Sequence, residues 1–145
     1  MNKVTITELL AEDALLVEEA QKATMLSYAP YSHFHVGCAV LLSNGEVIRG
    51  ANQENASYPC GICAERSALA TAQNLYPGVP VIAMALAARD SDHLTDQPVT
   101  PCGMCRQVIA ETQQRYQSSI RIIMSSGSEA VIAGSIEELL PLAFS

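Results

Sequence analysis

The sequence predicts an α/β fold: a three-layer α/β/α sandwich around a five-stranded mixed sheet, formed by residues 1–145 as a single domain. Three observations carry that prediction. Some segments repeat apolar residues at helical spacing, others are apolar runs of strand length, and the two kinds alternate with turn signals between them.

Each element has its own argument. Ile6, Leu9, Leu10, Leu16, Ala20 and Ala23 recur at helical spacing, and Thr5-x-x-Glu8 has the form of a capping box. The first helix is therefore predicted from Thr5 to Tyr28, with Pro30 ending it. Val36 to Leu42 and Glu46 to Ala51 flank Asn44-Gly45, a strong signal for a two-residue hairpin. A second helix begins near Cys63 and is closed by Pro77-Gly78 after Tyr76. Val81 to Ala88 is apolar on both faces, as a central strand buried on both sides should be. Asp90 to Val99 reads as a polar loop, and a third helix starts at Gly103 or Met104 and runs toward Tyr116. Ile120 to Met124 and Ala130 to Ala133 are the last strands, and Ser135-x-x-Glu138 caps a short final helix ending near Leu140. The order is α-β-β-α-β-α-β-β-α.

A chain of 145 residues, 49% hydrophobic, can bury a sizeable core. With no Trp and two Phe, that core must be mainly aliphatic. Eight Lys and Arg stand against fifteen Asp and Glu, for a net charge of −7, and no basic run exists. This argues against nucleic acid and anionic membranes as partners. The N-terminal residues lack the apolar stretch of a signal peptide, and no segment is long enough to span a bilayer. Five cysteines without a secretory signal fit a reducing compartment, and the expected location is the cytoplasm.

Two short phrases carry the chemistry: Cys63-Ala64-Glu65-Arg66 and Pro101-Cys102-Gly103-Met104-Cys105-Arg106. Cys102 and Cys105 have the C-x-x-C spacing that lets two sulfurs converge on one tetrahedral zinc ion. Cys63 is the candidate third ligand, which leaves a position open for water, the mark of a catalytic zinc. Glu65 sits too close to Cys63 to serve comfortably as a fourth ligand, and it is well placed to take a proton from such a water. A C-x-x-C alone also fits a redox pair or half of a structural zinc site. Neither explains the Cys-Ala-Glu-Arg phrase, and His33, His35 and His93 show no ligand spacing. Arg66 and Arg106 follow the ligands and are candidates to hydrogen-bond the sulfurs and withdraw charge, with surface ion pairing as the simpler role. Cys38 reads as an inert core residue and Cys60 as a small apolar residue lining a turn.

These phrases resemble the zinc-dependent cytidine deaminase family. The resemblance extends to Pro30-Tyr31-Ser32-His33-Phe34-His35-Val36-Gly37, to Asn52-Gln53-Glu54-Asn55-Ala56-Ser57-Tyr58, and to Glu138-Leu139-Leu140-Pro141 with Phe144 near the end. It implies a cytidine deaminase-like fold, one Zn²⁺ per chain on Cys63, Cys102 and Cys105, and Glu65 as the proton shuttle. It also implies that Asn52 and Glu54 bind ribose hydroxyls and that Phe34 packs on the pyrimidine. The Ala64 N–H would meet the base carbonyl, and the Thr100 carbonyl would receive the amino group. Phe144 would reach a neighbouring subunit's site in a homotetramer with shared active sites. Taken alone, Asn52 and Glu54 read rather as polar caps at a hairpin end, and Phe34 equally as ordinary core. His35 stands where the family often has Pro, and Cys60 where a larger apolar residue is common.

The reaction so implied is hydrolysis of cytidine and 2′-deoxycytidine to uridine and 2′-deoxyuridine with release of ammonia, a step of pyrimidine salvage. Another aminopyrimidine nucleoside, such as a nucleoside antibiotic, is the alternative substrate. A non-enzymatic zinc-binding module is the rival of a different kind, and it would need four protein ligands and no Glu65.

Overall fold

The computed structural model describes all 145 residues. Seven strands form one sheet: β1 (Asn2–Thr5), β2 (Phe34–Leu42), β3 (Val47–Ala51), β4 (Val81–Asp90), β5 (His93–Leu94), β6 (Arg121–Ser125) and β7 (Glu129–Ala133). Three α-helices cover it: α1 (Ala11–Ala23), α2 (Ala64–Leu75) and α3 (Gly103–Tyr116). The sheet order is β1-β7-β6-β4-β2-β3, with the two-residue β5 paired to the end of β4. β4 and β6 run parallel and every other pair is antiparallel, so the sheet is mixed as expected.

The five expected strands are all present, and β1 and β5 join them. β1 lies within the segment expected to lead into the first helix. Its four residues are mostly exposed, and its partner β7 lies at the other end of the chain, with Asn2 opposite Ile132 and Thr5 opposite Glu129. The capping box does form, Thr5 N–H donating to Glu8 Oε1 at 3.0 Å, but over a single 3₁₀ turn. The backbone is extended at Leu9 and Leu10, and α1 begins only at Ala11. That turn tucks Ile6 and Leu9 against the core beneath α1.

Two further boundaries differ. The hairpin loop is longer than two residues: Leu42 N–H donates to the Glu46 carbonyl, Gly45 N–H donates to the Leu42 carbonyl, and Gly45 takes φ +88°. A turn followed by a left-handed glycine absorbs the extra residue. The final helix is one 3₁₀ turn, Ile136–Glu138, because Glu138 bonds the Met1 amine and the Gly134 N–H, and Pro141 follows closely.

The strand alternation splits the core into two layers. Ala83, Ala85 and Ala87 of β4 face α1, together with Ala39, Ile123 and Ala130. Met84 and Leu86 face the opposite side, with Cys38, Val40, Ile122 and Met124, and meet Ala64, Ala68 and Leu69 of α2 and Ile109 of α3. Alanines beneath α1 let that helix lie close to the sheet. This layering puts α2 and α3 side by side on one face, with both N-termini at the sheet edge where β3 and β4 end and β2 begins.

Candidate metal and substrate site

Cys63 is the N-cap of α2 and Cys102 is the N-cap of α3. Free N–H groups and the helix dipole at these positions favour thiolates. Cys105 lies on the first turn of α3 and is fully buried, and its N–H meets Cys102 Sγ at 3.5 Å. Cys63 Sγ is 3.8 Å from Cys102 Sγ, which is 3.4 Å from Cys105 Sγ, and the three sulfurs all lie within 4.8 Å of one another. Zinc bonded to sulfur at about 2.3 Å in a tetrahedron requires sulfurs about 3.8 Å apart. The Cys63–Cys102 distance matches that figure and the Cys102–Cys105 distance is slightly tighter, so the three sulfurs could supply three of the four ligands of one zinc ion. The Cys63 thiol is lowered to about 6, first by a hydrogen bond from Cys105 and then by Cys102 and the Arg66 charge. Cys105 is pushed the other way by that same bond and by burial.

Glu65 stands on the first turn of α2, 4% exposed. Burial raises its carboxyl above the usual range, and the Cys63 charge adds to the effect. Beneath it, burial drives the Cys38 thiol well above its normal value and keeps it inert, as expected of a core residue. Cys60 lies outside the sulfur cluster, as expected, and is exposed at the end of the 3₁₀ turn Tyr58–Cys60.

Ala64 is fully buried at the first position of α2, where its N–H has no partner within the helix. Thr100 is exposed, directly before the buried Pro101. Arg106 donates from Nε to the Pro101 carbonyl and from Nη1 to the Leu139 carbonyl, both at 2.9 Å, so it ties the Cys102 loop to the C-terminal segment and not to a sulfur.

The sheet edge brings a second group of residues together. Asn52 Oδ1 accepts from the Val36 N–H at 2.9 Å and from the Ser27 hydroxyl, and Nδ2 donates to the Phe34 carbonyl at 2.9 Å. Glu54 Oε1 accepts the N–H groups of Tyr31 and Ser32 at 2.9 and 3.1 Å, and Oε2 accepts the Ser32 hydroxyl. Those hydrogen bonds, Ser32's first, hold the Glu54 carboxyl below its usual range. Glu54 lines a cleft of ≈ 410 Å³ with Tyr31, Ser32, Asn55 and Tyr58. Phe34, at the start of β2, is 37% exposed and so is not ordinary core. Phe144 is 75% exposed, its backbone bracketed by Gln107 of α3 at 2.8 and 3.2 Å. No sequence pattern gives Ser27, Tyr31 or Ser32 a role of its own; the one signal is the Tyr31-Ser32 pair inside the motif that contains Phe34.

Known proteins agree with this geometry. Residues 10–118 match the family described as "Cytidine and deoxycytidylate deaminase zinc-binding region". The chain is 42% identical over 130 residues to a cytidine deaminase of Halalkalibacterium halodurans, covering 90% of this chain and 92% of that one. It is 37% identical over 130 residues to a cytidine deaminase of Sporosarcina psychrophila, covering 90% and 89%. Among solved structures, cytidine deaminase from Burkholderia pseudomallei is similar at TM-score 0.78 and 36% identity, covering 94% of this chain and 100% of that one. The sulfur cluster, the fold and these similarities together establish that this chain belongs to the zinc-dependent cytidine and deoxycytidylate deaminase family.

Proposed function

We propose that the protein hydrolyses cytidine and 2′-deoxycytidine to the uridine nucleosides and ammonia, using one zinc ion held by Cys63, Cys102 and Cys105. The observation that carries this reading is three sulfurs within 4.8 Å of one another beside a buried carboxylate two residues from one of them. Bound zinc with one open position would make hydroxide available from water near neutral pH.

The chain's own groups supply the rest. Glu65 takes a proton from the attacking water and delivers it to ring N3, which makes C4 electrophilic. It then takes the proton of the new C4 hydroxyl and passes it to the amine, which leaves as ammonia as the C4 carbonyl forms, so one carboxyl acts in turn as base and acid. Its burial, which raises its affinity for the proton, supports that double role. The Ala64 N–H binds the base carbonyl and the Thr100 carbonyl receives the amino group. Phe34 packs on the ring. Asn52 keeps one Nδ2 hydrogen free and Glu54 Oε2 keeps a lone pair, and a ribose hydroxyl, which both accepts and donates, matches that pair. Arg66 moderates the charge of the sulfurs, and Arg106 does so indirectly by holding the Cys102 loop.

In this reading the whole chain is one catalytic domain acting in the cytoplasm as a homotetramer, with Phe144 of one subunit completing a neighbour's site. The exposure of Phe144 supports this, and no helix of the chain is long and apolar enough to cross a membrane.

The test is the ultraviolet change from cytidine to uridine, followed for the wild type and Glu65→Gln, with zinc measured in both. The wild type turns over with about one zinc per chain, and Glu65→Gln keeps its zinc while losing roughly 10²–10⁴-fold in rate. Equal rates in both proteins refute the role of Glu65. Zinc without turnover redirects the reading to another aminopyrimidine nucleoside.

A further inference from the structure

We infer that Ser32 is a positioning residue for ribose recognition: its hydroxyl aims the free lone pair of Glu54 Oε2 at the sugar. The inference rests on the nucleoside reading above and extends it to a residue with no direct contact in the reaction.

The Ser32 side chain is locked at both ends. Its oxygen accepts the Phe34 N–H at 3.1 Å, so its hydrogen is directed away from Phe34 and onto Glu54 Oε2. The result is a chain from the β2 backbone through one hydroxyl to one carboxylate oxygen, and such chains strengthen their members. The other oxygen, Oε1, is pinned separately by the N–H groups of Tyr31 and Ser32. Without the hydroxyl, Oε1 stays held while Oε2 is free to swing about it. The turn that makes this possible is unusual, because His33, between Ser32 and Phe34, takes φ +56°. That left-handed step returns the chain to the sheet edge, so that backbone N–H groups reach one oxygen while the serine reaches the other.

A purely structural role is disfavoured by exposure. Ser32 and its neighbours Tyr31 and His33 lie on the surface, so removing the hydroxyl opens no cavity. The equivalent lock on Asn52 is the Ser27 hydroxyl, which adds to the Val36 N–H in holding Oδ1 and so sets which end of the amide faces the sugar.

The experiment compares KM and kcat for cytidine and for 2′,3′-dideoxycytidine, which lacks the 2′- and 3′-hydroxyls. The proteins are the wild type, Ser32→Ala, Ser32→Thr and Glu54→Gln with and without Ser32→Ala. Loss of a hydrogen bond to a charged group predicts KM for cytidine about ten-fold higher in Ser32→Ala. kcat should fall by less than about two-fold, the pattern of lost ground-state binding. KM for the dideoxynucleoside should change by less than about two-fold, Ser32→Thr should restore cytidine binding, and Ser32→Ala should add nothing in the Glu54→Gln background. An equal KM rise for both nucleosides, or a full effect in the Glu54→Gln background, overturns the proposal. If the wild type binds both nucleosides equally, the ribose assignment of Asn52 and Glu54 is what fails, before any variant is compared.

Discussion

Asp13 is 3% exposed and carries its carboxylate into the layer between α1 and β6. There Arg121 meets its Oδ1 from Nε at 3.2 Å and also from Nη2. A charge so placed is tolerated only because it is paired, and no local pattern in the sequence could have matched residues this far apart. Arg121 is itself 37% exposed, so water offsets part of the loss, and Arg121→Ala should cost about 1–2 kcal/mol of stability, seen as a lower urea midpoint with unchanged slope. Replacing both residues by leucine should recover most of that loss, because a buried pair adds little beyond what apolar packing supplies. The same distinction governs the site. The clustered cysteines were legible because their residue types and spacing are those of a metal site. Ser32 was not, because its importance lies in which atoms it bonds.

The helices are held to the sheet by missing side chains as much as by packed ones. A Cβ on Gly50 of β3 would lie 2.4 Å from the Ala68 nitrogen and 2.7 Å from the Ala64 carbonyl oxygen of α2. Gly37 of β2 does the same for α1, its Cβ position falling 2.1 Å from the Ala20 carbonyl oxygen. The obstacle in both cases is backbone, which cannot rotate aside. Gly50→Ala should therefore push the N-terminal part of α2 outward and carry Cys63 and Glu65 with it. The expected result is a stability loss of at least about 1–3 kcal/mol, with zinc content and turnover falling together. A normal zinc content at reduced stability would separate the packing of α2 from the geometry of its first turn. Elements with periodic apolar residues were legible from sequence. β1, β5 and most of the 3₁₀ turns were not: β1 draws its structure from a strand at the other end of the chain, and the others are too short to show a periodicity.

The assembled molecule leaves an unusual share of its aromatic residues in solvent: Tyr28 at 56%, Tyr31 at 50%, Tyr58 at 79% and Phe144 at 75%. Tyr31 and Tyr58 pack edge to face, with ring centroids 6.2 Å apart, beside the Glu54 cleft. In the proposed tetramer these rings would be covered by neighbouring subunits. Light scattering should give a mass about four times the 15.5 kDa of the chain if the homotetramer that the family resemblance implies forms, the commonest closed assembly beyond a dimer. Phe144→Ala should raise KM while leaving that mass unchanged, because one terminal side chain covers a site without holding the subunits together. A monomer with full activity would show that each chain's site is complete by itself.

The sequence alone determined the α/β class, the five principal strands, and the residue types and spacing of the three cysteines that the fold clusters and of the carboxylate beside them. Each of these is written in residue type and local spacing, and spacing along a helix or strand translates directly into position in space. Tertiary structure alone decided that β1 closes the far edge of the sheet, that Arg106 grips carbonyls and that Ser27 and Ser32 lock Asn52 and Glu54. Those outcomes depend on hydrogen bonds between residues that meet only after the sheet has formed, and no periodicity in the chain records such meetings.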